Sequence, residues 1–128
     1  MIAGVSGRLL TASFIETELD ALAGHTAPSD DVIRALEGWS ARREATFGPA
    51  SSVRSIADGI ALPLLKLLGY SVATRIDRHE SVRVDASFCG RSILPVTVLG
   101  WDESLEGAWR QSVLEAVGTD ERWSVVIT

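Results

Sequence analysis

The chain has one cysteine, Cys89, and two histidines, His25 and His79, far apart in sequence. A single thiol closes no internal disulfide, and so few thiol and imidazole ligands leave a four-coordinate zinc site short of partners. This cysteine usage fits a reducing cytoplasm. Basic charge is scarce as well: 12 Lys and Arg against 17 Asp and Glu give a net charge of −5. A stand-alone nucleic-acid binder normally carries a basic face, so that class is disfavoured. A small DNA contact made by a domain tethered to a DNA-binding neighbour stays open. Long apolar runs are missing. Ile60 to Leu68, the longest, is about half a bilayer span and is broken by Lys66. No charged stretch followed by an apolar one opens the chain, so neither secretion nor a membrane partner is expected. The sequence also lacks a glycine-rich phosphate loop and a nucleophile elbow, and Cys89 has no base or second thiol in view.

What is present reads as one small globular domain. The chain has 128 residues, 46% of them hydrophobic and 23% charged, enough to bury a core without staples. Met1 reads as the natural start. The end, Trp123 to Thr128, reads as a strand, so more protein is expected to follow.

Periodicity predicts a first helix over about Gly7 to Ala23, with Leu10, Phe14, Leu19 and Leu22 near helical spacing and Gly24 as its C-cap. Ser29 is placed to cap a second helix, with Val32, Ile33, Leu36 and Trp39 on one face, that ends at Gly48-Pro49. A third begins near Ser51 or Ser52, buries Val53, Ile56, Ile60, Leu64, Leu67 and Leu68, and closes at Gly69. Pro63 falls inside it and predicts a kink or restart. The pattern then turns to strands. Tyr70 to Ile76 alternates weakly. Ser81 to Phe88 alternates clearly, with Val82, Val84, Ala86 and Phe88 on one side. Ile93 to Leu99 is a third strand in which Pro95 suggests an edge or a bulge. A helix over Leu105 to Val117 and a strand over Glu121 to Thr128 complete the order. The fold class is therefore α/β (α+β): N-terminal helices, then a small mixed sheet. Three strands form an antiparallel meander and a crossover helix leads to a parallel last strand. Residues 1–50 read as a helical lead-in and 51–128 as the core, with order α-β-β-β-α-β.

Several ordered segments carry a family likeness: Leu64-Leu65-Lys66-Leu67-Leu68-Gly69-Tyr70 before the first strand, Val82-Arg83-Val84-Asp85-Ala86 in the second, Gln111 in the late helix, and Arg122-Trp123-Ser124-Val125-Val126-Ile127-Thr128 at the end. Over about Ser52 to Thr128 this set resembles the PD-(D/E)XK nuclease-like domain at the N-termini of restriction–modification proteins, such as type I restriction subunits and type IIG-like fused DNA methyltransferases. The resemblance implies a restriction-endonuclease-like core. It also implies partners in a downstream domain of the same chain and, in the full-length protein, DNA.

The chain departs from that pattern on its third strand. Metal-dependent phosphodiester cleavage needs a hard divalent cation held by Asp and Glu oxygens and a lysine to steady developing charge. Aligned through Trp101, the Glu and Lys positions fall on Thr97 and Leu99, and a slip by one residue gives Val98 and Gly100. No acidic residue stands at Ser51, Ser52 or Arg54 on the first core helix, and Asp58 is the nearest carboxylate. Asp85 and Gln111 are thus vestigial candidates, with no catalytic residue, no metal and no cofactor expected. Asp85 is either a metal ligand or, the expected reading, a polar strand residue paired with Arg83 or Arg91. Gln111 is either a marker of a former active face or a solvated helix residue. Asp102, Glu103 and Glu106 read as helix-start charges, although a nuclease with migrated residues would draw on Glu103 or Glu106. Arg42, Arg43 and Arg54 read as a solvated face. Trp39, Trp101, Trp109 and Trp123 read as core or interdomain contacts, with Trp101 and Trp109 suited to an exposed docking patch. The expectation is a non-catalytic accessory domain of a restriction–modification or phage-defence methyltransferase. The alternative is an assembly domain unrelated to nucleic acid.

Overall fold

The structure, a computed structural model, describes residues 13–19, 21, 28–90, 92–119 and 124–128. The chain divides into two compact units, Met1–Asp30 and Asp31–Thr128. In the first, Phe14–Leu19 forms a π-helical turn within the predicted first helix, and Thr17 Oγ1 donates to the Ser13 carbonyl at 2.6 Å. Apart from Ser13 and Ala21, the remainder of that helix, its proposed cap Gly24, and His25 lie outside the described residues.

The second unit follows the predicted order. Helix α1 spans Asp30–Thr46. Only the far part of its apolar face reaches the core, through Trp39 and through Phe47 just beyond its end. Val32 and Ile33, expected on the buried face, are exposed. The Trp39 indole N–H donates to the Ile60 carbonyl at 3.0 Å, and the Arg43 guanidinium sits 5.6 Å from the Trp39 ring centroid. These contacts fasten residues 31–47 to the second unit, which begins at Asp31.

A helical rod follows. Helix α2 (Val53–Ile56) starts at Ser52, whose side chain accepts from the Ser55 N–H at 3.2 Å, satisfying one of the orphan donors of a helix start. A π-helical segment, Ala57–Ala61, leads into helix α3, Leu62–Leu67. The expected disturbance at Pro63 takes this form. Proline has no N–H to return to the carbonyl four residues back, and the ladder widens just before it. Gly69, at φ +85°, ends the rod, with its N–H on the Lys66 carbonyl at 3.1 Å.

Strands β1 (Tyr70–Asp77), β2 (Ser81–Phe88) and β3 (Ser92–Leu99) form the antiparallel meander. Helix α4 (Leu105–Thr119) then crosses to β4 (Val125–Ile127), which pairs parallel with Val96–Val98. Sheet order is β1-β2-β3-β4. The protein is thus mixed α/β with a four-stranded mixed sheet. Pro95 is buried in an interior strand, but the described β4 ladder begins one residue later, so the missing N–H falls on a stretch of β3 without a β4 partner.

Alternation decides the two faces. Val82, Val84, Ala86, Val96 and Val98 point to one side and pack under Ile56, Ala57, Ile60, Ala61 and Leu65 of the rod. Phe88, expected on this buried face, is half exposed at the hairpin end, where its ring meets Tyr70 at 5.7 Å. The Cys89–Gly90 turn carries positive φ at both residues, 52° and 69°, as tight hairpin turns require. Strand β1 is a sheet edge, exposed along nearly its whole length and bent by an irregularity between Val72 and Thr74. Such bends and charges blunt edges against stray pairing.

Candidate functional site

The opposite face of the sheet is polar. Ser81, Arg83, Asp85 and Ser87 alternate with the core residues of β2, and the register sets Thr97 beside Arg83 and Leu99 beside Ser81. Helix α4 supplies Gln111 and Glu115 to this layer. Their i, i+4 spacing puts both on one helix face.

A chain of polar contacts joins strand to helix. Asp85 Oδ2 accepts from Thr74 Oγ1 at 2.5 Å, and Asp85 Oδ1 faces Arg83 Nε at 3.4 Å. Arg83 reaches past Asp85 with its other end and ion-pairs with Glu115 Oε2. The Glu115 Oε1 atom accepts from Gln111 Nε2 at 2.8 Å and from Arg78 Nη1 at 3.2 Å. Glu115 is held below the usual carboxylate range, first by the Gln111 hydrogen bond, then by the Arg78 bond and the charges of Arg83 and Arg78, against the opposing effect of burial.

Beside this chain lies a cleft of about 240 Å³, lined among others by Arg83, Thr97, Leu99, Gln111 and Glu115. Thr97, Leu99 and Gln111 thus line one cleft. Asp85 belongs to the same layer but does not line the cleft. Of its two expected partners, Arg83 is present and Arg91 lies outside the described residues.

A divalent cation does not fit this donor set. Both Asp85 oxygens already have partners. Glu115 is matched by two guanidinium groups, and the cation between the two carboxylates is Arg83 itself. Thr97 brings no charge and Leu99 no donor atom. Among the described residues, no three His, Cys, Asp or Glu side chains gather as a metal cluster.

The remaining candidates are dispersed. Glu106 pairs with Arg110 at 3.2 Å on the outer surface of α4, and Ser104 caps that helix through a 3.5 Å contact from the Gly107 N–H. Asp102 and Glu103 line a second cleft of about 450 Å³ with Arg54, Arg78 and His79. Arg43 covers Trp39, while Arg54 sits 3.5 Å from Asp77, whose carboxylate offsets its charge. Trp101 and Trp109 are exposed, and Trp123 lies outside the described residues. The Ser112 hydroxyl, on the buried side of α4, has no hydrogen-bond partner among the described residues, and nothing in the structure explains it.

Sequence reading passed over Glu115, Arg78 and Thr74. The Gln111/Glu115 spacing was a usable signal, but Thr74 meets Asp85 only through the β1–β2 register. A second network was also invisible: Arg75 binds Asp77 at 2.7 Å and Asp58 at 2.5 Å, across 17 residues in the second case. The Arg75 hydrogen bond holds Asp77 below its ordinary value.

Comparison with protein-family models, curated proteins and solved structures finds no match to this chain. No helix among the described residues is long and apolar enough to cross a membrane.

Proposed function

We propose that this chain is a non-catalytic accessory domain with a restriction-endonuclease-like core. It serves a DNA restriction–modification or phage-defence methyltransferase by positioning DNA or docking the catalytic domain. The observation that carries the reading is the Arg83 guanidinium set between Asp85 and Glu115. Thr97 and Leu99 stand on the adjoining strand where a second metal ligand and a lysine would be needed. A fixed organic cation satisfies the carboxylates and stabilises the sheet–helix layer. It offers neither an exchangeable coordination position nor an activated water. The α-β-β-β-α-β order and the parallel last strand support the same reading.

Two measurements test it. Calorimetric titration with Mg²⁺ and Mn²⁺ is expected to give no binding isotherm. A plasmid-nicking assay with those ions is expected to give no cleavage. Nicking by the wild-type chain that Asp85→Ala removes would refute the non-catalytic reading.

The exposed apolar side chains on α4 favour a second reading, an assembly domain without nuclease ancestry. Reading the gene beyond Thr128 separates the two. An Asn-Gly continuation followed by an Asn-Pro-Pro-Tyr methyltransferase motif supports the first, and a stop codon or an unrelated domain supports the second.

A further inference from the structure

Helix α4 meets the sheet with small and polar side chains and turns its large apolar ones away. Ala108, Ser112, Glu115 and Ala116 are its shielded positions. Leu105, Trp109, Val113 and Val117 recur every four residues along one ridge and are exposed, Trp109 at 58% and Val117 at 80%. The neighbouring ridge carries Glu106 and Arg110, paired with each other at 3.2 Å, and then Leu114, which is 70% exposed. A helix normally buries its apolar stripe, and this one leaves on the order of 500 Å² of apolar side chain in water, near the largest patch a monomer carries.

From this surface we infer a homodimer in which α4 of one copy packs antiparallel against α4 of a second copy across a two-fold axis. Three features select the occupant. Two such patches face to face would bury on the order of 1,000 Å² in total, the lower limit for a specific interface, so one copy of the same surface suffices to cover it. Its two charges cancel within the chain, so no unmatched charge demands a foreign partner of opposite sign. Two copies with a net charge of −5 each therefore meet at a locally neutral surface. Repeating i, i+4 ridges fit one another's grooves, and antiparallel packing opposes the helix dipoles favourably. A lipid surface is a poor match, because α4 has Arg110 as its one basic residue, whereas helices that lie on anionic membranes are rich in Lys and Arg. The inference uses the same exposed α4 side chains that favour the assembly reading, but it does not depend on that reading, since neither reading fixes an oligomeric state.

Sedimentation equilibrium of the full chain from 1 to 200 μM is the test. We expect reversible dimerisation in the micromolar range, given the modest area. Trp109→Glu and Val117→Glu should each weaken it at least tenfold. Both positions are exposed, so far-ultraviolet circular dichroism, and the melting temperature at concentrations where the wild type is monomeric, should stay near those of the wild type. A wild-type chain that remains monomeric at 200 μM overturns the inference. So does a dimer indifferent to both substitutions, or co-sedimentation with anionic vesicles that Trp109→Glu abolishes.

Discussion

Replacing Arg83 with methionine keeps most of the side-chain volume and removes the cation on which the polar layer depends. The Arg83, Glu115 and Asp85 side chains are 15%, 20% and 22% exposed, so all three charges are mostly withdrawn from water. Removing one partner of a fully buried ion pair costs about 3–5 kcal/mol. Two features reduce that figure here. About a fifth of each carboxylate side chain still meets solvent, and each carboxylate keeps other donors: Thr74 for Asp85, Gln111 and Arg78 for Glu115. The expected loss is therefore about 2 kcal/mol at neutral pH, equivalent to a fall of roughly 8 °C in melting temperature for a domain of this size. The pH dependence sharpens the test. Glu115 is depressed below its ordinary 4.5 in the folded state. Its contribution is therefore complete above that value and fades as the pH falls through the lower folded value. Arg83 supplies part of the depression, so the gap between wild type and Arg83→Met should be widest near pH 7 and narrow towards pH 3. Urea unfolding at a series of pH values measures both quantities. A variant within 0.5 kcal/mol of wild type at pH 7, with ~0.5 kcal/mol being the usual scale of inert surface changes, would refute the structural role given to Arg83. A gap that stays constant with pH would refute the electrostatic account of it.

Gly59→Ala should destabilise by about 1–2 kcal/mol, because the new Cβ would lie 2.1 Å from Phe47 Cζ and push the ring off the core. Phe47→Leu, which removes the clashing ring tip, should recover part of the loss in a double-mutant cycle by thermal melts, and strict additivity would argue against the α1–rod contact. Cys89→Asn should stabilise by up to about 1 kcal/mol, since Cys89 holds φ at 52° and asparagine tolerates that region better. An unchanged or lower melting temperature would count against strain at the hairpin. The wild-type chain should lose stability on acidification below about pH 4.5, as Glu115 and Asp77, both held below their ordinary values in the folded state, take up protons. Acid titration followed by circular dichroism checks this.

Local chemistry made much of the fold legible. Alternation in Ser81–Phe88 assigns the buried face of β2 because side chains on a strand point to opposite sides in turn, and the structure buries Val82, Val84 and Ala86. Short turns impose the antiparallel meander, and a crossover helix permits the parallel β4. The reading weakened where neighbours outweigh periodicity. Val32 and Ile33 have the spacing of a buried face but receive no cover from the core, and Phe88 lies past its edge. The stripe on α4 has the same spacing as a core-facing one. Composition alone does not reveal that the sheet takes its small side and leaves Trp109 outside.

The candidate site shows the same division. At the positions where the resemblance would place the glutamate and the lysine, Thr97 and Leu99 carry neither a carboxylate nor an ammonium group, and that much is fixed residue by residue. Which charge partners meet is a question of register and helix placement. Asp85 reaches Thr74 through the β1–β2 pairing, and Arg83 reaches Glu115, 32 residues away, through the packing of α4 on the sheet. The sequence by itself determined the order of the elements and the absence of a Glu-x-Lys pair. Only the tertiary structure decided that an arginine would stand between two carboxylates, since contacts so distant along the chain depend on how the layers stack.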